Sequence, residues 1–222
     1  ISLSGLASAV ANEGGIGVIA AAGIGMLDYD FSTKFIEANI ARLRSEIRKA
    51  REKSKGIIGV NIMVALSNYA EFVKASIEEG IDIIFSGAGL PLNLPQYLEE
   101  KCETKLVPIV SSARAAGIIC KKWLDKYNYL PDAIVVEGPK AGGHLGFKED
   151  QIFDPDYSLE KILPEVVDEV KAFEDKSGKS IPVIAAGGIY TGEDIYNIMK
   201  LGASGVQMAT RFVTTEECDA SM

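Results

Sequence analysis

"PVIAAGGIYTGEDIYNIMKLGASGVQMATRF", residues 182–212, opens with a short apolar run, turns at two glycines, passes through a helical period and returns to a second apolar run. Thr191 stands at a helix N-cap, and Asp194 occupies the capping-box position three residues later. Ile195, Ile198 and Met199 form the inward face, and Gly202 supplies the left-handed stop. The stretch reads as strand, helix, strand. Two strands joined by a crossover helix pair in parallel.

The same unit recurs along the chain. Apolar runs rich in β-branched residues start at Ile16, Ile57, Ile81, Leu106, Ala133, Pro182 and Gly205. They are continuous and do not alternate, as strands buried on both faces of a parallel sheet require. From Ile57 onward the starts lie 24, 25, 27, 49 and 23 residues apart. A repeated βα unit of about 25–30 residues points to a TIM (β/α)8 barrel, which takes about 250 residues for eight units. In "FSTKFIEANIARLRSEIRKAREKS", Ile36, Ile40, Leu43 and Ile47 mark one helix, and "NYAEFVKASIEEG" marks another that ends at Gly80. A further helix is expected over residues 159–173. Only seven strands are visible, and a helix-like "LSGLASAVANEG" follows residue 1. The expectation is a single domain over residues 1–222 that lacks the barrel's first strand and a C-terminal extension. A doubly wound open sheet is the alternative.

Composition narrows the partners. The formal net charge is −8, with the charges scattered. Such a balance repels nucleic acid and anionic membranes, so any phosphate must be held by a local site. Cys102, Cys120 and Cys218 form neither an even set nor a C-x-x-C pair, which argues against disulfides and zinc. They read as small buried hydrophobes. The longest apolar run, "GGIGVIAAAGIG", falls short of the roughly 18 residues that span a bilayer, and no basic segment precedes it. The expected location is the cytoplasm.

Chemistry concentrates at the strand ends. Gly187 and Gly188 end one strand, and Ala209 and Thr210 follow the next. In a barrel the last two loops often hold a phosphate on backbone N–H groups that small residues leave open. The alternative for a glycine pair is a tight turn. No P-loop or G-x-G-x-x-G motif is present, so a mononucleotide fits better than a dinucleotide. Asn61 is an amide at a buried strand end that needs partners, which a heterocycle edge or neighbouring backbone could supply. Glu137 and Gln207 occupy comparable positions on later strands. The one histidine, His144, lies in "EGPKAGGHLGF", residues 137–147, a loop too rich in glycine for a helix or strand interior. An imidazole exchanges protons near neutral pH, and Gly142 and Gly143 leave room for a close approach. A surface role is the alternative. Nothing fixes a nucleophile beside His144, and no ligand spacing suggests a metal.

"ANEGGIGVIAAAG", "GVNIMV", "SGAG", "VVEGPKAGGHLG", "PVIAAGGI" and "GVQMATRF", in this order, resemble the nitronate monooxygenases, formerly called 2-nitropropane dioxygenases. They also resemble the related flavin-dependent enoyl-acyl carrier protein reductases. The resemblance implies an FMN-binding barrel whose phosphate is held by Gly187, Gly188, Gln207, Met208, Ala209 and Thr210. It places Asn61 near the flavin and the loop with Glu137, Gly142 and His144 over it, and it gives His144 the role of base toward a neutral nitroalkane. Lys140 departs from an acidic residue common in relatives, Ala209 replaces a common glycine, and the family's "QGGM" segment is missing. The implied reaction is oxidation of alkyl nitronates or nitroalkanes by molecular oxygen. Enoyl reduction with NAD(P)H is a second reading, and a non-redox phosphate-binding isomerase or lyase a third. A homo-oligomer is compatible with the sequence.

Overall fold

Each apolar run becomes a strand, and a helix fills every interval between runs but the one after the run at Ile81, which holds only a short 3-10 turn at Leu94–Tyr97. The computed structural model describes residues 2–26, 34–100 and 102–220. Among them run α1 (Ser4–Asn12), β1 (Ile16–Ala20), α2 (Phe35–Lys53), β2 (Ile57–Met63), α3 (Tyr69–Glu78) and β3 (Ile83–Gly87). These are followed by β4 (Lys105–Val110), α4 (Ala113–Tyr127), β5 (Ile134–Glu137), α5 (Leu159–Ser177), β6 (Val183–Ala186), α6 (Gly192–Lys200) and β7 (Gly205–Gln207). All seven expected strands are present.

The chain divides into two compact units. The first comprises Ile1–Ser86, Tyr97–Lys105 and Phe212–Met222, and the second Gly87–Gln96 and Leu106–Arg211. In the first unit β1 and β2 pair in parallel, with Ile16 opposite Ile57 and Ala20 opposite Asn61. In the second, β4, β5, β6 and β7 pair in parallel in chain order. Ile134, Val135 and Val136 of β5 are all fully buried, as a sheet covered on both faces demands.

Local chemistry explains the elements. In α5 the buried residues Leu159, Ile162, Leu163, Val166 and Val170 form one stripe at helical spacing. Ser112 caps α4 by accepting the Ala115 N–H at 3.3 Å, and Asn128 ends that helix in the left-handed region. The α6 capping box forms as expected: the Thr191 hydroxyl accepts the Asp194 N–H, and the Asp194 carboxylate accepts the Thr191 N–H. Two aspartates repeat one device. Asp82, before β3, accepts the Ile58 N–H, and Asp132, before β5, accepts the Leu106 N–H.

Three expectations about burial need correction. Ile36 of α2 and Met199 of α6 are exposed, while Asn39 and Glu46 are buried on α2. Asn39 earns its place by accepting the Gly25 N–H and donating to the Phe35 carbonyl. Of the cysteines only Cys120 is buried; Cys102 and Cys218 are partly exposed. Burial pushes the Cys120 thiol up to about 12.

α1 lies so close to β1 and β2 that side chains are excluded. A Cβ on Gly17 would stand 1.8 Å from the Ala7 carbonyl oxygen, and one on Gly56 2.3 Å from that of Ala11. The start of α1 is held by two carboxylates. Asp219 accepts the N–H groups of Leu3, Gly5 and Leu6, and Glu46 accepts that of Ser4. Burial alone would raise the Glu46 carboxyl, but hydrogen bonds from Ser4 and the Lys49 ammonium outweigh it and bring it to about 2.

Two stability measurements test this packing. Gly17→Ala is expected to lower unfolding free energy by at least ~2 kcal/mol in a denaturant titration, because backbone must move. Gly192→Ala, at an open position on α6, is expected to change it by under ~1 kcal/mol. Glu46 is more acidic folded than its ordinary 4.5, so its contribution is complete above that pH and is lost as pH falls toward about 2. Glu46→Gln is expected to flatten stability over that acid window.

Candidate functional site

In the second unit three strand ends meet along one edge. Glu137 stands opposite Ala186, and Ala186 opposite Gln207. The strands are parallel, so the loops after β5, β6 and β7 all leave from the same rim. Gly138 N–H donates to the Ala186 carbonyl at 2.9 Å, and Ala141 N–H closes a turn on Gly138 at 3.0 Å. This turn packs on the glycine pair. Gly187 and Gly188 have φ of +105° and +76°, a region that side chains disfavour. A Cβ on Gly187 would lie 2.9 Å from the Ala141 nitrogen, and one on Gly188 2.9 Å from Lys140 Cδ.

The loop carrying His144 returns to the same rim. Gly143 turns it at φ +84°, and a Cβ on Gly146 would lie 2.6 Å from Ser111 Oγ. Ser111 immediately follows β4, which pairs with β5 through Ile109 opposite Val135. The segment is therefore held at the rim on both sides of His144, whose side chain is exposed. Gly142 is exposed with open space around it. Glu137 is half-buried at the end of β5, and burial raises its carboxyl.

The rim has donors to spare. Among the described residues the N–H groups of Gly187, Gly188, Met208 and Ala209 make no hydrogen bond. Ala209 and Thr210 are exposed, and Gln207 and Met208 partly so. Unpaired N–H groups on two adjacent loops form a receptor for an anionic oxygen group.

Arg211 stitches these loops together. Its Nη1 donates to the Tyr190 carbonyl at 3.0 Å, and its guanidinium carbon lies 5.3 Å from the centre of the Tyr190 ring. The Tyr190 N–H in turn donates to Asp194 at 3.1 Å. Hydrogen bonds from the Thr191 backbone and hydroxyl and from Tyr190 hold the Asp194 carboxyl below its ordinary range. On the helix side of the glycine pair opens a cleft of about 610 Å³, whose walls include Lys140, Phe153, Leu159 and Ile198.

Of the residues expected at the site, Glu137, Gly142, His144, Gly187, Gly188, Gln207, Met208, Ala209 and Thr210 all belong to this unit's rim or its loops. Asn61 belongs to the first unit, partly exposed on β2, where its carbonyl accepts the Ala21 N–H. Sequence reading did not single out Arg211, Tyr190 or Ser111. The only signal for Arg211 was a cation directly after "MAT".

The model of the nitronate monooxygenase family matches residues 1–222. A (3aS,4S,5R,7aS)-5-hydroxy-7a-methyl-1-oxo-octahydro-1H-indene-4-carboxyl-CoA dehydrogenase of Mycobacterium tuberculosis is 28% identical over 212 residues, covering 96% of this chain and 49% of its own. A probable nitronate monooxygenase of Staphylococcus aureus is 28% identical, with 97% of this chain and 62% of its own covered. The chain spans about half the length of the curated relatives it matches. The solved structure of FabK from Thermotoga maritima superposes with a TM-score of 0.74 at 31% identity, covering 99% of this chain and 58% of that one.

The packing of the glycine pair makes a testable claim. Gly187→Ala is expected to displace the Gly138–Ala141 turn and to speed hydrogen exchange of the Ala141 amide by about tenfold or more. Unchanged protection would mean that the two loops are not in contact.

Proposed function

We propose, from the premise that the chain belongs to the nitronate monooxygenase family, that it forms the FMN-binding part of an enzyme oxidising alkyl nitronates or nitroalkanes with molecular oxygen. In this reading β4–β7 are consecutive strands of a (β/α)8 barrel. The observation that carries it is the pair of adjacent loops after β6 and β7, whose unpaired N–H groups fit a phosphate. Gly187, Gly188, Met208 and Ala209 would supply those donors, and Gln207 and Thr210 would offer side chains at the same edge. Glu137 would meet the flavin edge. A flavin, when bound, supplies electron transfer from the nitronate and reoxidation by oxygen.

The chain's own task is to place groups and move one proton. His144 lies on the strand-end rim that holds the glycine pair. Taking the proton from the carbon beside a nitro group leaves charge on the nitro oxygens and an imidazolium on His144. Gly142 and Gly143 leave the substrate room beside the imidazole. A nitronate, already deprotonated, has no need of this step.

A second reading is reduction of an enoyl thioester by NAD(P)H; the relative named as a carboxyl-CoA dehydrogenase supports its thioester substrate and not the direction of the reaction. Anaerobic mixing of the flavin-loaded protein separates the two. Bleaching by propyl nitronate and not by NADH is expected; rapid bleaching by NADH alone would overturn the nitronate reading. His144→Asn is expected to slow oxidation of neutral nitroalkane by about 10²-fold or more while sparing the nitronate. Undiminished turnover of the neutral form would remove the base role.

A further inference from the structure

We infer that Arg211 is a positioning residue for the phosphate site, because its guanidinium fixes the spacing between the two loops that would grip FMN. The inference rests on the reading of those loops given above. Arg211 directly follows Thr210, and Tyr190 lies two residues beyond Gly188. The Nη1 bond to the Tyr190 carbonyl and the placement of the guanidinium over the Tyr190 ring therefore join the mouths of both loops.

The grip is two-sided. The Tyr190 backbone gives its N–H to the Asp194 carboxylate and its carbonyl to Arg211. One residue is thereby clamped between an anion on α6 and a cation beyond β7. The free N–H groups it spaces make no hydrogen bond of their own, and Gly187 and Gly188 are otherwise held by packing against the Gly138–Ala141 turn. A receptor whose donors are set in place before binding avoids the cost of ordering them on the ligand. Lysine cannot replace this contact, because a point charge provides neither the planar fork nor the stacking face.

Arg211 is exposed, so its replacement leaves the core intact. The test titrates the flavin-free protein with FMN and with riboflavin, following quenching of flavin fluorescence, and records the thermal midpoint of each variant. Riboflavin lacks the phosphate and reports the rest of the site. The unaltered chain is expected to prefer FMN. Arg211→Met is expected to weaken FMN by about tenfold and leave riboflavin affinity and thermal midpoint unchanged. Arg211→Lys is expected to lose as much. Tyr190→Ala is expected to lose less, with no further loss when added to Arg211→Met.

A retained FMN preference in Arg211→Met would overturn the inference. So would full recovery in Arg211→Lys, which would mean a direct charge contact with the phosphate, and so would additive losses. If the unaltered chain binds riboflavin as tightly as FMN, the phosphate loops themselves are misassigned and the inference falls with them.

Discussion

The parallel pairing of β5, β6 and β7 in unbroken chain order is the constraint on which the rest of the candidate site depends. With Glu137, Ala186 and Gln207 side by side, adjacent loops leave the sheet about 4.8 Å apart. A single phosphate can touch two loops at that spacing. Any slip of one strand by a residue would reverse which side chains face the core and draw one loop back from the others. The glycines belong to the same logic. Gly187 is required where the β5 loop backbone comes within a van der Waals contact of the β6 turn, and its positive φ aims the chain away from β5 toward α6.

Much of this was legible in the sequence, for reasons that can be named. Buried parallel strands must be continuously apolar, so all seven runs were visible. Thr191, Asp194, Gly80 and Gly202 act on their own neighbours, so local reading found them. Ile36 and Met199 show the limit of periodicity. A helical repeat identifies a face but does not reveal how far along the helix the sheet extends. Glu46 and Asn39 escaped for another reason. Their burial is offset by partners 42 and 14 residues away, Ser4 and Gly25, which no window of pattern contains.

The candidate site divides in the same way. His144 and the glycines stood out because loop chemistry and backbone freedom leave compositional marks. The contacts that hold the site do not. Arg211 to Tyr190 and Gly146 to Ser111 each join loops distant in sequence, and a cation or a serine alone carries no sign of its partner.

The carboxylate of Asp219 at the head of α1 has a consequence for how the chain acquires its structure. The three N–H groups it accepts belong to residues more than two hundred positions earlier. During synthesis the first turn of α1 therefore lacks this carboxylate until β1 to β7 have all been made. Among the hydrogen bonds described for α1 these close the longest loops, with the largest closure entropy, so the helix that docks on β1 is capped only after the seven described strands exist.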